Sequence, residues 1–174
     1  MKAGGRIAFS LRPYRRADFG RLCEIDVDCF GSQVAFDPKQ MWQTLKEKGA
    51  FAIVAETAEA EMAGFIVARK AAATRGQVIT LDVLPRFRKQ GLGAKLMKAA
   101  EDRFQKAGIK WIRLETAKHN RAAQALYEKL GFTRVGEIQG YYPDGSDAWI
   151  MRKDLPAARS RVITNLPAGA LSVR

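Results

Sequence analysis

Apolar positions near the start of the chain alternate weakly at first and then follow helical spacing. Residues 7–11 predict a short edge strand. Asp18 is placed to cap a helix that carries its apolar residues on one side. These residues are Phe19, Leu22, Ile25, Cys29 and Phe30. A second helix is predicted to begin at Asp37-Pro38, because proline suits the first helical turn. The connection at 31–36 is predicted to be a flexible loop that borders a binding groove.

The middle of the chain contains apolar runs of strand length and one long amphipathic helix. The runs at 51–55 and 62–68 are joined by a polar link and predict two antiparallel strands. A strand at 78–83, a helix at about 91–107 and a strand at 111–116 follow. A strand, a helix and a second strand in succession predict a crossover that makes the two strands parallel.

The C-terminal part of the pattern predicts one more helix and a hairpin. A helix at 120–130 precedes strands at 133–138 and 148–153. Pro143-Asp144-Gly145 supplies the turn between these two strands. The complete order, βααβββαβαββ, predicts an α/β fold whose mixed, mostly antiparallel sheet has one parallel pair in its middle.

Length and composition predict one domain with a real core. The chain has 174 residues, of which 47% are hydrophobic, and this is enough to bury a single core. Residues 1–155 are predicted to form that domain. The composition changes after Pro156. Arginines become frequent, prolines interrupt the sequence, and no long apolar run follows. Residues 156–174 are therefore predicted to be a basic tail or an arm that docks on this or another subunit.

The net charge of +12 points to an anionic partner. Such a partner would be a phosphorylated cofactor, an acidic substrate or RNA. The basic residues are scattered, however, and no nucleic-acid-binding motif accompanies them. Nucleic acid is therefore expected only as an incidental contact of a basic surface.

The sequence shows no sign of a disulfide-rich, metal-binding, membrane-spanning or secreted protein. Cys23 and Cys29 do not form a disulfide framework, and His119 is the only histidine, so no metal site is predicted. No apolar run approaches the ~20 residues that a membrane-spanning helix needs. The first six residues do not resemble a secretory signal. The expected compartment is the cytoplasm.

The junction between the strand at 78–83 and the following helix is the main candidate for chemistry. Free backbone N–H groups and the positive end of a helix dipole favour an anion at a helix N-terminus. Gly91 and Gly93 lack a Cβ, so a diphosphate could approach the main chain closely. Arg86, Arg88 and Lys89 add positive charge. The pattern matches neither a Walker loop nor the dinucleotide fingerprint, and a simple tight connection explains it equally well.

Three separate stretches resemble the GNAT N-acetyltransferase superfamily. Val83-x-Pro85-x-x-Arg88-x-x-Gly91-x-Gly93 resembles its cofactor-binding signature, and 120–132 resembles its second signature, Asn-x-x-Ala-x-x-Leu-Tyr-x-x-x-Gly-Phe. Leu114-Glu115 together with the stretches 141–145 and 147–151 is similar to ribosomal-protein-alanine N-acetyltransferases and related N-terminal acetyltransferases. The match covers roughly residues 78 to 154.

The resemblance implies a twisted sheet with helices on both faces, whose central parallel strands splay apart to admit acetyl-CoA. The cosubstrate's diphosphate would lie on the amides after the first signature strand, and its pantetheine arm would pair with that strand's main chain. The main-chain N–H of Val83 would also point toward the thioester oxygen, an oxyanion-type contact. The residues implied in cofactor binding are Leu81, Val83, Arg88, Lys89, Gln90, Gly91, Leu92, Gly93, Ala94 and Asn120. Asn120 is equally well explained as an ordinary helix N-cap.

Acetyl transfer also requires groups that move protons. Glu115 is the expected base, acting directly or through water, because the attacking amine must lose a proton. Tyr127 is the expected acid, which would protonate the departing sulfur. The structural alternatives are a strand carboxylate paired with Arg113 and a core aromatic, respectively. Neither signature contains a serine or cysteine, so direct attack without an acyl-enzyme is expected.

The acceptor is expected to be a protein or peptide N-terminal α-amine. By resemblance, Phe36, Tyr141 and Tyr142 would line the entry groove for that peptide, although paired tyrosines could instead only shield the end of the sheet. Lysine, polyamine, amino-sugar or aminoacyl-tRNA amines are alternative acceptors, and a non-catalytic acyl-CoA-binding module is an alternative of another class. The oligomeric state is expected to be monomer or homodimer.

Overall fold

The computed structural model describes residues 7–156 of the chain. The helices and strands of this part follow in chain order: β1 (Ser10–Pro13), α1 (Phe19–Phe30), α2 (Pro38–Lys46), β2 (Ala50–Glu56), β3 (Met62–Lys70), β4 (Arg75–Val83), α3 (Leu92–Lys106), β5 (Trp111–Ala117), α4 (Arg121–Lys129), β6 (Thr133–Ile138) and β7 (Ala148–Asp154). Short 3₁₀ turns at Arg16–Asp18 and Pro85–Phe87 precede α1 and α3. The predicted order of helices and strands is confirmed. The predicted tail or arm at 156–174 lies outside the described residues, apart from Pro156.

The strands form one mixed sheet in the order β1-β2-β3-β4-β5-β7-β6. All neighbours are antiparallel except β4 and β5, which are parallel. Consecutive residues of β3 from Met62 to Ala68 are buried, so both faces of this central strand are covered. The predicted α/β class, with one parallel pair in a mostly antiparallel sheet, is confirmed. Within the described residues, no helix is both long and apolar enough to span a membrane.

The two parallel strands separate soon after they meet. Their pairing is limited to Arg75–Gln77 on β4 and Trp111–Arg113 on β5. Beyond this point β4 remains paired with β3 as far as Val83, while β5 remains paired with β7 along its whole length. A wedge-shaped gap therefore opens between β4 and β5, as expected for a splayed pair.

Helix α3 packs across the sheet because glycines make room for its aromatic side chain. The Phe104 ring packs edge-on against Phe51 of β2 at a centroid distance of 5.2 Å. A Cβ on Gly76 of β4 would lie only 2.8 Å from the Phe104 ring, so this position requires glycine. The contact brings the last turn of α3 close to β2 and β4.

Some boundaries differ from the predicted ones. Strand β4 begins at Arg75, three residues before the predicted start, because it alternates instead of forming an apolar run. Its buried face includes Thr80 and Asp82, whose polarity breaks the apolar pattern. Strand β1 covers Ser10–Pro13, later than the predicted 7–11, and pairs with β2 up to Pro13.

Gly64→Ala is expected to lower the free energy of unfolding by about 1–3 kcal/mol, the usual cost of overpacking. The added Cβ would overlap the main-chain carbonyl of Asp82 on β4, and backbone cannot move aside cheaply. Urea denaturation followed by circular dichroism measures the change. Gly20→Ala on α1 is the control, because nothing lies within 4 Å of its added methyl. Equal stabilities of Gly64→Ala and wild type would contradict the close approach of β3 and β4.

Candidate active site

The exposed edge of β4 offers main-chain groups to the gap. The Leu84 N–H donates to Ala63 O at 3.0 Å, so even-numbered residues at this end of β4 face β3. By alternation, the main-chain groups of Leu81 and Val83 face the gap, where β5 has already diverged. The Val83 carbonyl accepts from Arg88 Nε at 2.8 Å and from Cys29 Sγ at 3.4 Å. The Val83 N–H therefore remains the group that this residue can offer to a bound molecule.

The turn after β4 presents unpartnered amides at the start of α3. Gly91 precedes the helix in the left-handed region, with φ of +82°, and no side chain caps the helix. Lys89 also has a positive φ, +60°. The amides of residues 89–94 donate to no group in the described part of the chain. A run of free amides at a helix N-terminus is a site for an anion.

One predicted member of this set has to be corrected. The Arg88 amide donates to Pro85 O at 3.2 Å in the 3₁₀ turn, so the free amides begin at Lys89. The Arg88 side chain also donates through Nε to the Val83 carbonyl. Arg86 is paired with Glu61, so Lys89 is the one of the three whose side chain has no protein partner in the described part of the chain. Local pairing has thus used charges that the sequence alone would assign to the ligand.

Gly91 and Gly93 serve different purposes. A Cβ on Gly91 would meet nothing within 4 Å, so its glycine is required by the backbone conformation. A Cβ on Gly93 would lie 3.0 Å from Leu126 Cδ2, so this glycine allows α3 to approach α4. An open cavity of about 500 Å³ lies beside the turn, lined by Gln90 to Leu92, Lys95 and the residues before β1.

Glu115 lies on β5 at the narrow end of the gap. Its side chain is only 5% exposed and contacts Arg113 Nε through Oε1 at 2.5 Å. Gln77 Nε2, from β4, donates to Glu115 Oε2 at 3.1 Å. Gln77 is in turn held by Arg69 of β3, at 3.0 and 3.2 Å. The predicted pairing with Arg113 is therefore present, and each carboxylate oxygen keeps a lone pair for a further donor.

Tyr127 is buried on α4 beside the gap. Its ring packs against Phe132 at a centroid distance of 5.9 Å. Burial raises the pKa of the Tyr127 hydroxyl well above its ordinary value, and the nearby Tyr142 and Asp82 raise this pKa further. These neighbours show that the hydroxyl lies where the hairpin and β4 approach each other. A hydroxyl that stays protonated can serve as a proton donor.

The start of α4 is fixed by side-chain hydrogen bonds. Asn120 Oδ1 accepts from the Ala123 N–H at 3.1 Å, so the predicted N-cap is present. Gln124 is buried and donates to the carbonyls of Ala117 and Lys118 at 3.0 and 2.9 Å. These bonds hold α4 against the end of β5, and with it the position of Tyr127.

The hairpin between β6 and β7 brings two tyrosines to the same area. The Tyr141 and Tyr142 rings pack edge-on at 5.0 Å, and Tyr141 is 44% exposed. Burial raises the pKa of both hydroxyls, and Glu115 raises each further. Glu115 and Tyr127 therefore each lie near Tyr142 of the hairpin. Asp147 fixes the bend by accepting from the Gly140 N–H at 2.9 Å.

Phe36 lies on the loop between α1 and α2 and is half-buried against the core. Its N–H donates to Asp26 Oδ2 at 2.6 Å. This bond anchors the loop to α1, and therefore to the side of β4 on which α1 packs. The Phe36 amide is thus tied to α1, and the flexibility of the loop at 31–36 stays a prediction.

A family model described as "Acetyltransferase (GNAT) family" matches residues 19–132 of the chain, well over half of it. The matched segment contains the gap, the turn with free amides and the Tyr127 helix. The chain belongs to the GNAT acetyltransferase family. The gap between β4 and β5 thus lies inside the matched segment, next to the stretch at 83–93 that resembles the family's cofactor-binding signature.

Curated relatives of this GNAT protein are N-terminal acetyltransferases by name. An N-alpha-acetyltransferase of Sulfurisphaera tokodaii is 32% identical over 123 residues, which cover 64% of this chain and 73% of the relative. N-alpha-acetyltransferase 30 of Schizosaccharomyces pombe is 39% identical over 75 residues, covering 43% of this chain. The chain spans about half the length of that relative, 50%.

Solved structures share the GNAT fold with this chain. Ard1 from Thermoplasma volcanium superposes with a TM-score of 0.78 at 24% identity, over 86% of this chain and 99% of that one. The ribosomal-protein-S18-alanine N-acetyltransferase from Escherichia coli gives 0.76 at 24% identity, over 89% and 99%. At these identities the comparison concerns the fold alone.

Three residues of this GNAT site were missed in the sequence. Gln77 contacts Glu115, while Asp26 and Asp82 lie beneath the other side of the gap, where Asp82 approaches Tyr127. For Asp82 the signal available was the alternation of β4, in which polar residues occupy buried positions, whereas Gln77 and Asp26 gave no such signal. A buried polar residue in a central strand requires a partner, and that requirement marks the site.

Proposed function

We propose that this protein transfers an acetyl group from acetyl-CoA to the free α-amine of a protein or peptide N-terminus. The observation that carries the proposal is the gap between β4 and β5. It has free amides at the start of α3 near one end and Glu115 near the other, and the buried Tyr127 lies beside it. Membership of the GNAT family supports acetyl transfer, and the names of the curated relatives support the α-amine as acceptor.

The residues present fit acetyl-CoA. The amides of residues 89–94 suit a diphosphate, because they have no partner in the described part of the chain. The main-chain groups of Leu81 and Val83 suit the amides of a pantetheine arm, which would add to β4 as a further strand does. Lys89 supplies an exposed positive charge beside the same turn. Asn120 keeps its side-chain NH₂ for this arm, since only its oxygen caps α4.

The proton movements are divided between two ends of the gap. Acetyl-CoA, when bound, supplies a thioester carbon that a neutral amine can attack. Glu115, directly or through a water molecule, would accept the proton that the amine loses as the C–N bond forms. The Val83 N–H would donate to the carbonyl oxygen as negative charge develops there. Tyr127 would give its proton to the sulfur as the C–S bond breaks, and solvent would restore that proton.

The acceptor side is proposed to lie between the hairpin and the loop after α1. Tyr141 and Tyr142 come from the hairpin and Phe36 from the loop. A half-buried aromatic lining suits an extended peptide, whose first residue would lie nearest Glu115. The electrostatic contact between Glu115 and both tyrosines supports this arrangement.

A peptide panel tests the proposed acceptor. Peptides that vary at their first two residues are incubated with acetyl-CoA, and CoA release is followed with a thiol reagent. We expect product only when the α-amine is free, because the groove would position the N-terminus at Glu115. Equal product from N-terminally blocked peptides with an internal lysine would reject the α-amine as acceptor. Tight CoA binding without any turnover would instead indicate a non-catalytic module.

Tyr127→Phe tests the proposed acid. We expect kcat to fall about 10²-fold with little change in CoA affinity, since only the proton donor is lost. In wild type, kcat should not decline up to about pH 10, because the pKa of Tyr127 lies above the ordinary value of a tyrosine. Tyr14→Phe is the matched control, since it removes a buried hydroxyl outside the gap. A parallel loss of CoA affinity would show that Tyr127 is scaffolding.

Gly91→Ala tests the turn. Alanine disfavours a φ of +82°, so the first-turn amides should shift and the Kd for CoA should rise about tenfold. Gly108→Ala is the matched control, because this glycine has a φ of +75° at the other end of the same helix. Both variants should lose similar stability, but only Gly91→Ala should lose CoA affinity in calorimetric titration. Equal CoA affinities would remove the turn from the binding site.

A further inference from the structure

Two carboxyl groups meet beneath the gap. Asp82 is fully buried at 0% exposure on β4, and Asp26 is 1% exposed on α1. The two carboxyl groups are close enough for each to influence the pKa of the other. No basic side chain forms an ion pair with either of them in the described part of the chain. Two buried carboxylates without a counter-ion would repel each other strongly.

The hydrogen bonds made by the two carboxyl groups leave one oxygen of each without a donor, and one shared proton would serve both. Asp82 Oδ2 accepts from Thr80 Oγ1 at 2.7 Å, and Asp26 Oδ2 accepts from the Phe36 N–H at 2.6 Å. The two other oxygens, Oδ1 of each aspartate, are buried and have no donor. A single proton shared by the pair satisfies both oxygens at once and removes one of the two charges. Burial raises the pKa of Asp82 well above its ordinary value, which favours Asp82 as the partner that carries this proton.

The pair joins three parts of the proposed site. Asp82 lies between Leu81 and Val83, the residues that offer main-chain groups to the gap. Asp26 holds the loop after α1 through the Phe36 N–H. Asp82 is also close enough to Tyr127 to influence the pKa of its hydroxyl. Because Asp26 bonds directly to the Phe36 N–H, the loop is the part that a change in the pair reaches through a hydrogen bond.

We propose that Asp26 and Asp82 act as a positioning pair that shares one proton and holds the loop at 31–36 in place for the acceptor. This inference rests on the proposed function, and it assigns to the pair a role in acceptor binding and not in proton transfer to the substrate. Loss of the shared proton leaves two like charges in a dry site. Their repulsion separates α1 from β4 and releases the loop.

The surroundings of the pair determine the direction of its pH dependence. Cys29 on α1 is a thiol whose pKa burial raises to about 11, with Asp82 raising it further. Arg88 approaches from the turn after β4 and lowers the pKa of Asp82, while Asp26 raises it and Thr80 lowers it. Tyr127 stays protonated. Because the pKa of Asp82 is raised on folding, the shared proton is present at low pH and is lost as pH rises through that pKa.

Hydrogen exchange of the Phe36 amide tests the tether without any assay of activity. Asp26→Ala removes the acceptor of this N–H, so exchange measured by NMR should accelerate at least about tenfold. Asp28→Ala is the control, because Asp28 is an exposed aspartate on the same helix and should leave the rate unchanged. In wild type the Phe36 rate, corrected for the intrinsic pH dependence of exchange, should increase at alkaline pH. Asp82→Asn should abolish this extra increase, since asparagine still donates to Asp26 but cannot ionise.

Steady-state kinetics test the role in acceptor binding. The KM for the peptide should rise about tenfold or more in Asp26→Ala, while kcat at saturating peptide and the Kd for CoA stay close to those of Asp28→Ala. The acceptor amine itself titrates and changes KM for both enzymes. At each pH, the KM of wild type is therefore divided by the KM of Asp82→Asn, which cancels the effect of the amine. This ratio should rise with pH as the pair loses its proton.

The outcomes separate the two proposals. Equal Phe36 exchange in Asp26→Ala and Asp28→Ala would overturn the positioning pair, whatever the activity. Faster exchange with an unchanged KM, or a KM ratio that is flat with pH, would also overturn it. Failure of the proposed function would appear as the absence of acetyl transfer to any peptide by wild type, with the exchange result still deciding whether the tether exists.

Discussion

The early separation of β4 from β5 is the constraint on which the rest of the structure depends. A central strand normally hydrogen-bonds on both edges, yet beyond Gln77 strand β4 is paired only with β3. Its other edge carries N–H and C=O groups that must find water or a ligand, because unsatisfied backbone groups are costly. The gap is therefore a site that the sheet itself creates, before any side chain is considered.

The fold holds this half-paired strand in position from its other sides. Gly64 allows β3 to approach β4 closely, and α1 contacts the strand through Cys29 and Asp26. Strand β5 is held away by its full pairing with β7, and α4 is fixed to its end by Gln124. The wedge is thus maintained by contacts that lie outside it. This arrangement leaves the edge of β4 beyond Gln77 without a strand partner on the side of β5.

Much of the fold could be predicted from the sequence because its signals are local. Alternation, helical spacing and turn residues predicted the order of the elements, and the signature at 83–93 marked the turn whose amides are free. The pairing of Arg88 with Val83 and the contact of Asp26 with Asp82 could not be predicted. They depend on which side chains face each other after folding, and periodicity carries no information on such contacts. The net charge of +12 was a poor guide for the same reason, since Arg86 and Arg88 are already engaged by protein groups.

The most direct measurement of the central claim is the backbone amide NMR spectrum during a titration with CoA. If a bound arm completes the open edge of β4 and its diphosphate lies on the turn, the largest shifts should occur at Leu81, Val83 and residues 89–94. Shifts confined to another surface, such as the exposed face around Trp42, would contradict the account. Unchanged amide chemical shifts along β4 at saturating CoA would also contradict the account.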